Sequence, residues 1–414
     1  MATRPTLTIH RSAHEIGGNC IEIAHGDARL LLDIGRPLDA PRAATNLMPA
    51  TLDTQRPVAG VLISHPHQDH FGLLDELPAD WPVYSGEFAG KLLRLTANLF
   101  GTAPDRDYRH WRAGRPVAIG PFAVTPYLTD HSAFDAYMLL VEVAGKRILY
   151  SGDFRMHGRK AALVQRLMAA PPPNLDVLLL EGTNLGSDKP TKRESDLERE
   201  FVALCKATPG RVFVCWSAQN IDRTVSLYRA CIRAGRTLVV DLYTAEVLEL
   251  LGEAGRIPRP GWEHIQVVIT RGLAKRYEAA GRQDFVARMA AHGISAARLA
   301  ESRHRWLVMA RPSLLRDFAA KGVTPTPDDA WSYSQWRGYL AQPDGVSLQA
   351  WFDQGGARAA HIHTSGHASV ADLHAFARAM KPRMLVPIHG VAWDTDGAGF
   401  ADVVRLRDGE VLRV

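Results

Sequence analysis

The sequence predicts an α/β protein in two parts, and three observations carry that reading. Through roughly the first 170 residues, short apolar runs are joined by tight turns, the pattern of strands and hairpins. From about residue 175, apolar runs alternate with helical stretches, the rhythm of a mostly parallel, doubly wound sheet. At 414 residues the chain exceeds the usual size of one hydrophobic core, so two domains, or one domain with a large insertion, is the expectation.

In the first part "TLTIHR" reads as a strand, "NCIEIAHGDARLLLDIG" as a hairpin about a Gly-Asp turn, and "VAGVLIS" as a further strand. "RPVAIGPFAVTPYL" and "AYMLLVEVAGKRILYSGD" continue the strands, the latter about a Gly-Lys turn, with few helices expected between. The clearest linker signal is "AAPPPNLD" at 169–176, because consecutive prolines break regular structure; it marks where the two rhythms meet. Strands in "DVLLLEG", "RVFVCWS", "RTLVVDLY" and "IQVVIT" then alternate with helices in "RESDLEREFVALCKAT", "NIDRTVSLYRACIRAG" and "AEVLELLGEAG". After "AQPDGVS" come "AHIHTSGH", a helix near "VADLHAFARAM", a strand in "RMLVPIHG" and a last hairpin. No internal repeat or low-complexity segment is present.

Composition narrows the function classes. Apolar and charged contents of 46% and 22% are ordinary for a globular protein, and no stretch approaches the ~20 uncharged apolar residues of a membrane helix. No membrane partner is expected. The opening "MATRPTLTIHRSAHEIGG" has neither an apolar segment before a small-residue cleavage site nor an Arg/Ser-rich presequence, so export is not expected. Cys20, Cys205, Cys215 and Cys231 form no C-x-x-C pair, which fits reduced thiols in a cytoplasm and argues against a cysteine zinc site. A formal charge of +5 leans toward a polyanionic partner, but it is spread over the whole chain.

The chemistry-bearing stretch is "SHPHQDHFGLL", which puts His65, His67, Asp69 and His70 into six positions after an apolar run. Side chains two apart can point to one side, so His65 and His67 can grip one ion while Asp69 and His70 turn toward a second. Neutral imidazole and carboxylate suit Zn²⁺, with Mn²⁺ as the alternative. Further candidates end other apolar runs: His131 in "TDHSAFDAY", Asp153 in "YSGDFRMHG" and His389 in "VPIHG". Each also fits a purely local role, as a turn residue, an Asx-turn or a capped loop. A carboxylate such as Asp153 can bridge two metals roughly 3.5–4 Å apart, an arrangement suited to in-line displacement at phosphorus.

"HPHQDH" resembles the H-x-H-x-D-H signature of the metallo-β-lactamase superfamily, and "LLLDIG" with Asp33, "DHSAFDAY" and "YSGDFR" resemble its other motifs in order. "LLLEGTN" with Glu181, "HTSGH" with His367 and "VPIHG" resemble the added motifs of the β-CASP nucleases, and "HEIGGN" with these is most similar to the ribonuclease J group. The motifs cover about 10–185 and 358–392. The resemblance implies a metallo-β-lactamase αββα sandwich with an inserted β-CASP α/β domain, divided as 1–185, 186–355 and 356–414.

It also implies roles. Two Zn²⁺, or Mn²⁺, would lie on His65, His67 and His131 and on Asp69, His70 and His389, with Asp153 between them and Asp33 orienting the ligand loop. A hydroxide activated by the two metals would attack phosphorus, and His367, assisted by Glu181, would protonate the leaving oxygen. His367 also fits a helix N-terminal residue, and Glu181 a loop cap. His363 and Ser365 are candidates for phosphate contact or for closing their turn; His361 is expected to be structural. In "WSAQNIDRT" Asn220 and Arg223 match substrate-handling positions of the ribonuclease J group, or cap and decorate a helix. Gln219 stands where that group has serine, which puts 5′-monophosphate sensing in doubt.

Two aromatic-basic stretches, "RDYRHWRAGR" and "WSYSQWRGYL", are either nucleic-acid contacts or partly buried packing segments. The function implied is a metal-dependent ribonuclease on single-stranded RNA, with a homo-oligomer allowed. DNA-directed β-CASP members usually have valine where this chain has His389, which favours RNA over a DNA 5′-exonuclease. A lactonase or thioesterase would leave Glu181 and His367 idle, and a catalytically dead scaffold would lack ligands that are all present here. Only about 25 residues follow His389, whereas ribonuclease J carries a further C-terminal domain, so assembly and processivity do not carry over.

Overall fold

The computed structural model describes residues 4–41, 43–101, 106–188 and 190–414. The chain divides into two compact units, Met1–Pro190 with Gly366–Val414, and Thr191–Ser365. The strands are, in chain order, β1 (Thr6–Arg11), β2 (Cys20–His25), β3 (Ala28–Leu32), β4 (Gly60–Leu62), β5 (Val83–Gly86), β6 (Tyr108–Trp111), β7 (Val117–Ile119), β8 (Phe122–Leu128), β9 (Tyr137–Val143) and β10 (Lys146–Tyr150). They continue as β11 (Val177–Glu181), β12 (Val212–Cys215), β13 (Thr237–Asp241), β14 (Ile265–Val268), β15 (Trp306–Met309), β16 (Ala330–Tyr333), β17 (Arg358–Ala360), β18 (Met384–Ile388) and β19 (Val411–Arg413).

The first unit holds a seven-stranded sheet, β19-β1-β2-β3-β4-β5-β6, and a six-stranded sheet, β18-β11-β10-β9-β8-β7. Alternation along each strand assigns the layers. Leu30 and Leu32 of β3, with Leu139 and Val141 of β9, join the core between the sheets. Leu31, between them in sequence, faces outward to pack with Leu93 of the helix Glu87–Phe100. Leu140 likewise faces Val164 and Leu167 of the helix Ala161–Ala169 and Phe376 of the helix Val370–Met380. The outcome is helix, sheet, sheet, helix, each fully buried leucine contributing about 1.5–3 kcal/mol.

The second unit is built on an all-parallel sheet, β14-β13-β15-β12-β16-β17. Its central strands β12 and β15 are buried on both faces, "VFVC" and "WLVM" without an exposed residue, as a sheet covered by helices requires, while the edge strand β17 is mostly exposed.

Several expectations need correction. β11, grouped with the alternating part, pairs with β10 and β18 in the first unit. The proline run ends the helix Ala161–Ala169 and leads into β11, so it is a connection inside the first unit. The helix Glu87–Phe100 interrupts the β-rich part; Gly90 weakens its helical propensity. The terminal strand β19 pairs with β1 instead of closing a local hairpin. β17 lies past residue 356 yet pairs with β16 in the second unit's sheet. Both aromatic-basic stretches contain strands: Tyr108 and Trp111 of β6 are buried, and Trp331 of β16 stacks on Phe352 at 4.5 Å between centroids. No helix among the described residues is long and apolar enough to cross a membrane.

Candidate metal centre

The chain leaves β4 through Ile63 and Ser64 into His65, and a one-turn helix, Gln68–Phe71, starts directly after His67. That turn redirects the backbone, so Asp69 and His70 leave in other directions than His65 and His67. Ile34 N donates to His70 O at 2.8 Å, and Asn19 N to Asp69 O at 3.1 Å, holding the turn against "HEIGGN" and "LLLDIG". The approach is so close that a Cβ on Gly35 would lie 1.7 Å from Asp69 O, which admits only glycine there.

Asp33, fully buried at the end of β3, organises this loop. Its Oδ1 accepts from Ser64 N at 2.7 Å. Its Oδ2 accepts from Ser64 Oγ at 2.7 Å, Tyr150 OH at 2.6 Å and His70 Nδ1 at 2.7 Å. A carboxylate can only accept, so the proton sits on Nδ1 and His70 Nε2 faces Asp153 Oδ2 at 3.0 Å. The same logic recurs. His131 Nδ1 donates to Gly366 O at 2.6 Å, leaving Nε2 3.2 Å from His67 Nδ1. His65 Nδ1 lies 3.0 Å from Ser64 Oγ, and His389 Nδ1 lies 2.8 Å from Thr183 Oγ1. Anchoring one ring nitrogen so that the other is presented is how ligating histidines are held.

Three strand ends complete the cluster. β10, β11 and β18 run parallel, with Tyr150 opposite Leu179 and Glu181 opposite Ile388. Their carboxyl ends therefore carry Asp153, Glu181 and His389 to one edge. His389 takes a left-handed φ of 49° and its N donates to Ser12 O at 2.8 Å. His367 precedes the helix Val370–Met380, and its Nδ1 lies 3.1 Å from Glu181 Oε2 and 3.8 Å from Asp153 Oδ2.

Three sets of donor atoms converge, each within 4.8 Å of one another: His65, His67 and His131; Asp69, His70, Asp153 and His389; and Asp153, Glu181, His367 and His389. Asp153 sits among them, with Oδ2 3.6 Å from His65 Nε2 and Oδ1 3.7 Å from His389 Nδ1. Asp69 Oδ2 is 3.5 Å from His389 Nε2. His65 Nε2, His389 Nε2 and Asp153 Oδ1 are buried and make no hydrogen bond among the described residues. Buried lone pairs without donors, converging from imidazoles and carboxylates, fit divalent cations.

The electrostatics of His65 and His131 agree. Burial, then neighbouring imidazoles, hold His65 and His131 well below the ordinary range, the neutral form a cation requires. Burial would raise Asp153, but His389, His70 and His367 hold it well below the carboxylate range. His70 goes the other way: burial opposes, yet the carboxylates of Asp153, Asp33 and Asp69 push it well above its usual value. His367 is pushed up to about 9, because Glu181 and then Asp153 outweigh burial.

The second unit contains the other candidates. Asn220 caps the helix Ile221–Ala234, its side chain accepting from Arg223 N at 3.1 Å. Arg223, expected to handle phosphate or to be solvated, is fully buried; its Nη2 lies 3.1 Å from Glu194 Oε1 and its Nη1 donates to Ser334 O at 3.0 Å and to Ser334 Oγ. Its charge is matched inside the fold. His363 is partly buried, and burial with the nearby Arg223 pushes its pKa down to about 3. Ser365 closes that segment and is also partly buried. Gln219 donates to Tyr243 OH at 2.9 Å.

Sequence reasoning passed over Thr183, Tyr150 and Ser64. Thr183 Oγ1 lies 3.1 Å from His367 Nδ1 as well as near His389, and Asn184 Nδ2 donates to His367 O at 3.1 Å. Both belong to "EGTN", of which only Glu181 was singled out.

Comparisons with known proteins match two segments of the chain to known families and most of its length to several relatives. Residues 15–177 match the metallo-beta-lactamase superfamily, and residues 356–396 match the Zn-dependent metallo-hydrolase RNA specificity domain. The chain is similar to "Ribonuclease J" of Helicobacter pylori (strain ATCC 700392 / 26695), at 25% identity over 394 residues, covering 91% of this chain and 54% of that protein. It is also similar to "Ribonuclease J 1" of Streptococcus pyogenes serotype M3, at 24% identity over 391 residues, covering 91% and 67%. The chain thus spans about half the length of the Helicobacter relative. A solved protein of unknown function from Enterococcus faecalis V583 shares the fold along the whole of both chains, with a TM-score of 0.78 at 19% identity.

Proposed function

We propose that this chain, which belongs to the metallo-β-lactamase superfamily, hydrolyses phosphodiester bonds in single-stranded RNA with two Zn²⁺ ions, Mn²⁺ being the alternative pair. The observation that carries the reading is the dyad of His367 and Glu181, 3.1 Å apart, set 3.8 Å from Asp153. A lactone or thioester hydrolase would use the clustered histidines but has no need of a second acid beside them. The RNA specificity match over residues 356–396, which includes His367 and His389, and the similarity to ribonuclease J support RNA as the polymer.

In this reading His65, His67 and His131 hold one ion, Asp69, His70 and His389 the other, and Asp153 lies between them. When bound, the cations would supply Lewis acidity at the phosphoryl oxygens and make water a stronger acid. Asp33 fixes His70 in one tautomer, and Gly366 O does so for His131. Asp69 stands ready to take the proton of the attacking water. Glu181 holds the Nδ1 proton of His367, so the ring stays protonated and gives the proton on Nε2 to the leaving oxygen.

The test uses 5′-labelled and 3′-labelled single-stranded RNA and DNA, incubated with the protein, with and without chelator, beside His67→Ala. RNA cleavage that chelator and the variant both abolish is expected. Preferential DNA cleavage would replace the polymer, and cleavage of neither under Zn²⁺ or Mn²⁺ would end the reading.

A further inference from the structure

We infer that Trp336, braced by Tyr339 and next to Arg337 at the sheet edge from which His361 also emerges, forms a platform on the second unit that stacks a base of single-stranded RNA; this rests on the RNA reading above. β16 and β17 are neighbouring parallel strands, with Ser332 opposite Ala360, so the residues that follow them emerge at the same carboxyl edge. In parallel α/β sheets that edge is where ligands bind. Trp336 and Arg337 follow β16, and His361 follows β17; all three are exposed.

Trp336 is 53% exposed, an unusual position for the largest apolar side chain. It is nevertheless not loose. A Cβ on Gly338 would meet Cη2, Cζ3 and Cζ2 of the indole at 2.1–2.4 Å, so the ring lies directly over the Gly338 backbone. The Tyr339 ring braces it edge-on, with centroids 5.2 Å apart and planes at 89°. A ring fixed from below and from the side yet open to solvent is pre-organised for stacking, which lowers the entropy lost on binding. Trp331, five residues earlier, spends its face on Phe352 and is buried. Among the described residues Trp336 has no such stacked partner for its exposed face.

The surroundings favour a nucleotide over an apolar protein partner. Arg337 is adjacent in sequence, exposed, and near enough to His361 to add, after burial, to the lowering of its pKa. A guanidinium beside an aromatic face matches a phosphate beside its base, and every base has such a face. The RNA specificity match begins at residue 356 and takes in His361.

The experiment measures equilibrium binding of a non-cleavable 2′-O-methyl oligoribonucleotide, and of the same oligomer built from abasic nucleotides, to the zinc-loaded protein. Trp336→Ala is expected to weaken binding of the base-bearing oligomer roughly five- to a hundredfold. Trp336→Phe should retain most of the affinity, and Gly338→Val, which fills the space under the ring, should lose as much as Trp336→Ala. The abasic oligomer should bind wild type and Trp336→Ala alike, and matched melting temperatures would show that the variants fold. If wild type binds the base-bearing oligomer and Trp336→Ala does so equally, or if both oligomers are lost together, the platform is wrong and the RNA reading stands. If wild type binds neither oligomer, both fall.

Discussion

Asp33 Oδ2 and His70 Nδ1 lie 2.7 Å apart, both wholly buried, and the same carboxylate oxygen also accepts from Ser64 and Tyr150. This contact decides which nitrogen of His70 faces Asp153. Asp33→Asn keeps the shape but places an amide among four donors, so it removes the preference for the productive tautomer. Zinc affinity should fall about 10- to 100-fold, read by competition with a chromophoric chelator. Unchanged affinity would show that the loop orients His70 without Asp33.

His367 and Asp153 are near enough that His367 is either a proton donor or a further metal ligand. Under the proposed function His367→Ala keeps its zinc content while kcat for RNA drops about 10²- to 10⁴-fold. Metal analysis beside single-turnover cleavage separates the two roles, because loss of zinc would make His367 a ligand.

Chelation should destabilise the first unit. A cation bound by the folded cluster and not by the unfolded chain stabilises by mass action, about 2.7 kcal/mol at a hundredfold excess over Kd. The melting temperature should drop by several degrees with EDTA and recover with Zn²⁺ in excess of the chelator. A melting curve indifferent to chelator would mean that the histidines hold no ion.

Arg223 and Glu194 form a buried pair in the second unit. Arg223→Met strands the Glu194 carboxylate and should cost about 3–5 kcal/mol of stability in a denaturant titration. A variant as stable as wild type, but weaker on RNA, would return Arg223 to the substrate-handling role that its sequence context suggested.

The cluster was legible because its members are rare types in unusual density. Four chelating groups in "HPHQDH", and lone acids or histidines at the ends of apolar runs, are visible without a structure. What holds them was not. Thr183, Ser64 and Tyr150 are common residues whose roles depend on the register of β10, β11 and β18, and register between strands some two hundred residues apart leaves no local trace. The parallel sheet was read from β12, β13 and β14, whose apolar runs are plain, but β16 hid inside an aromatic-basic stretch and β17 inside a histidine-rich one. Arg223 read as a solvated or phosphate-binding side chain because its partner, Glu194, lies on another helix.

The order in which the centre's parts leave the ribosome follows from the strand arrangement. β11 is flanked by β10, made shortly before it, and by β18, made only after the entire second unit. A nascent chain that has completed Asp153 and Glu181 still lacks His367 and His389, so the candidate cluster and its acid stay unfinished until the whole second unit has been made. On the proposed function, a growing chain that has not yet reached His389 has no means of cutting the transcript from which it is being read.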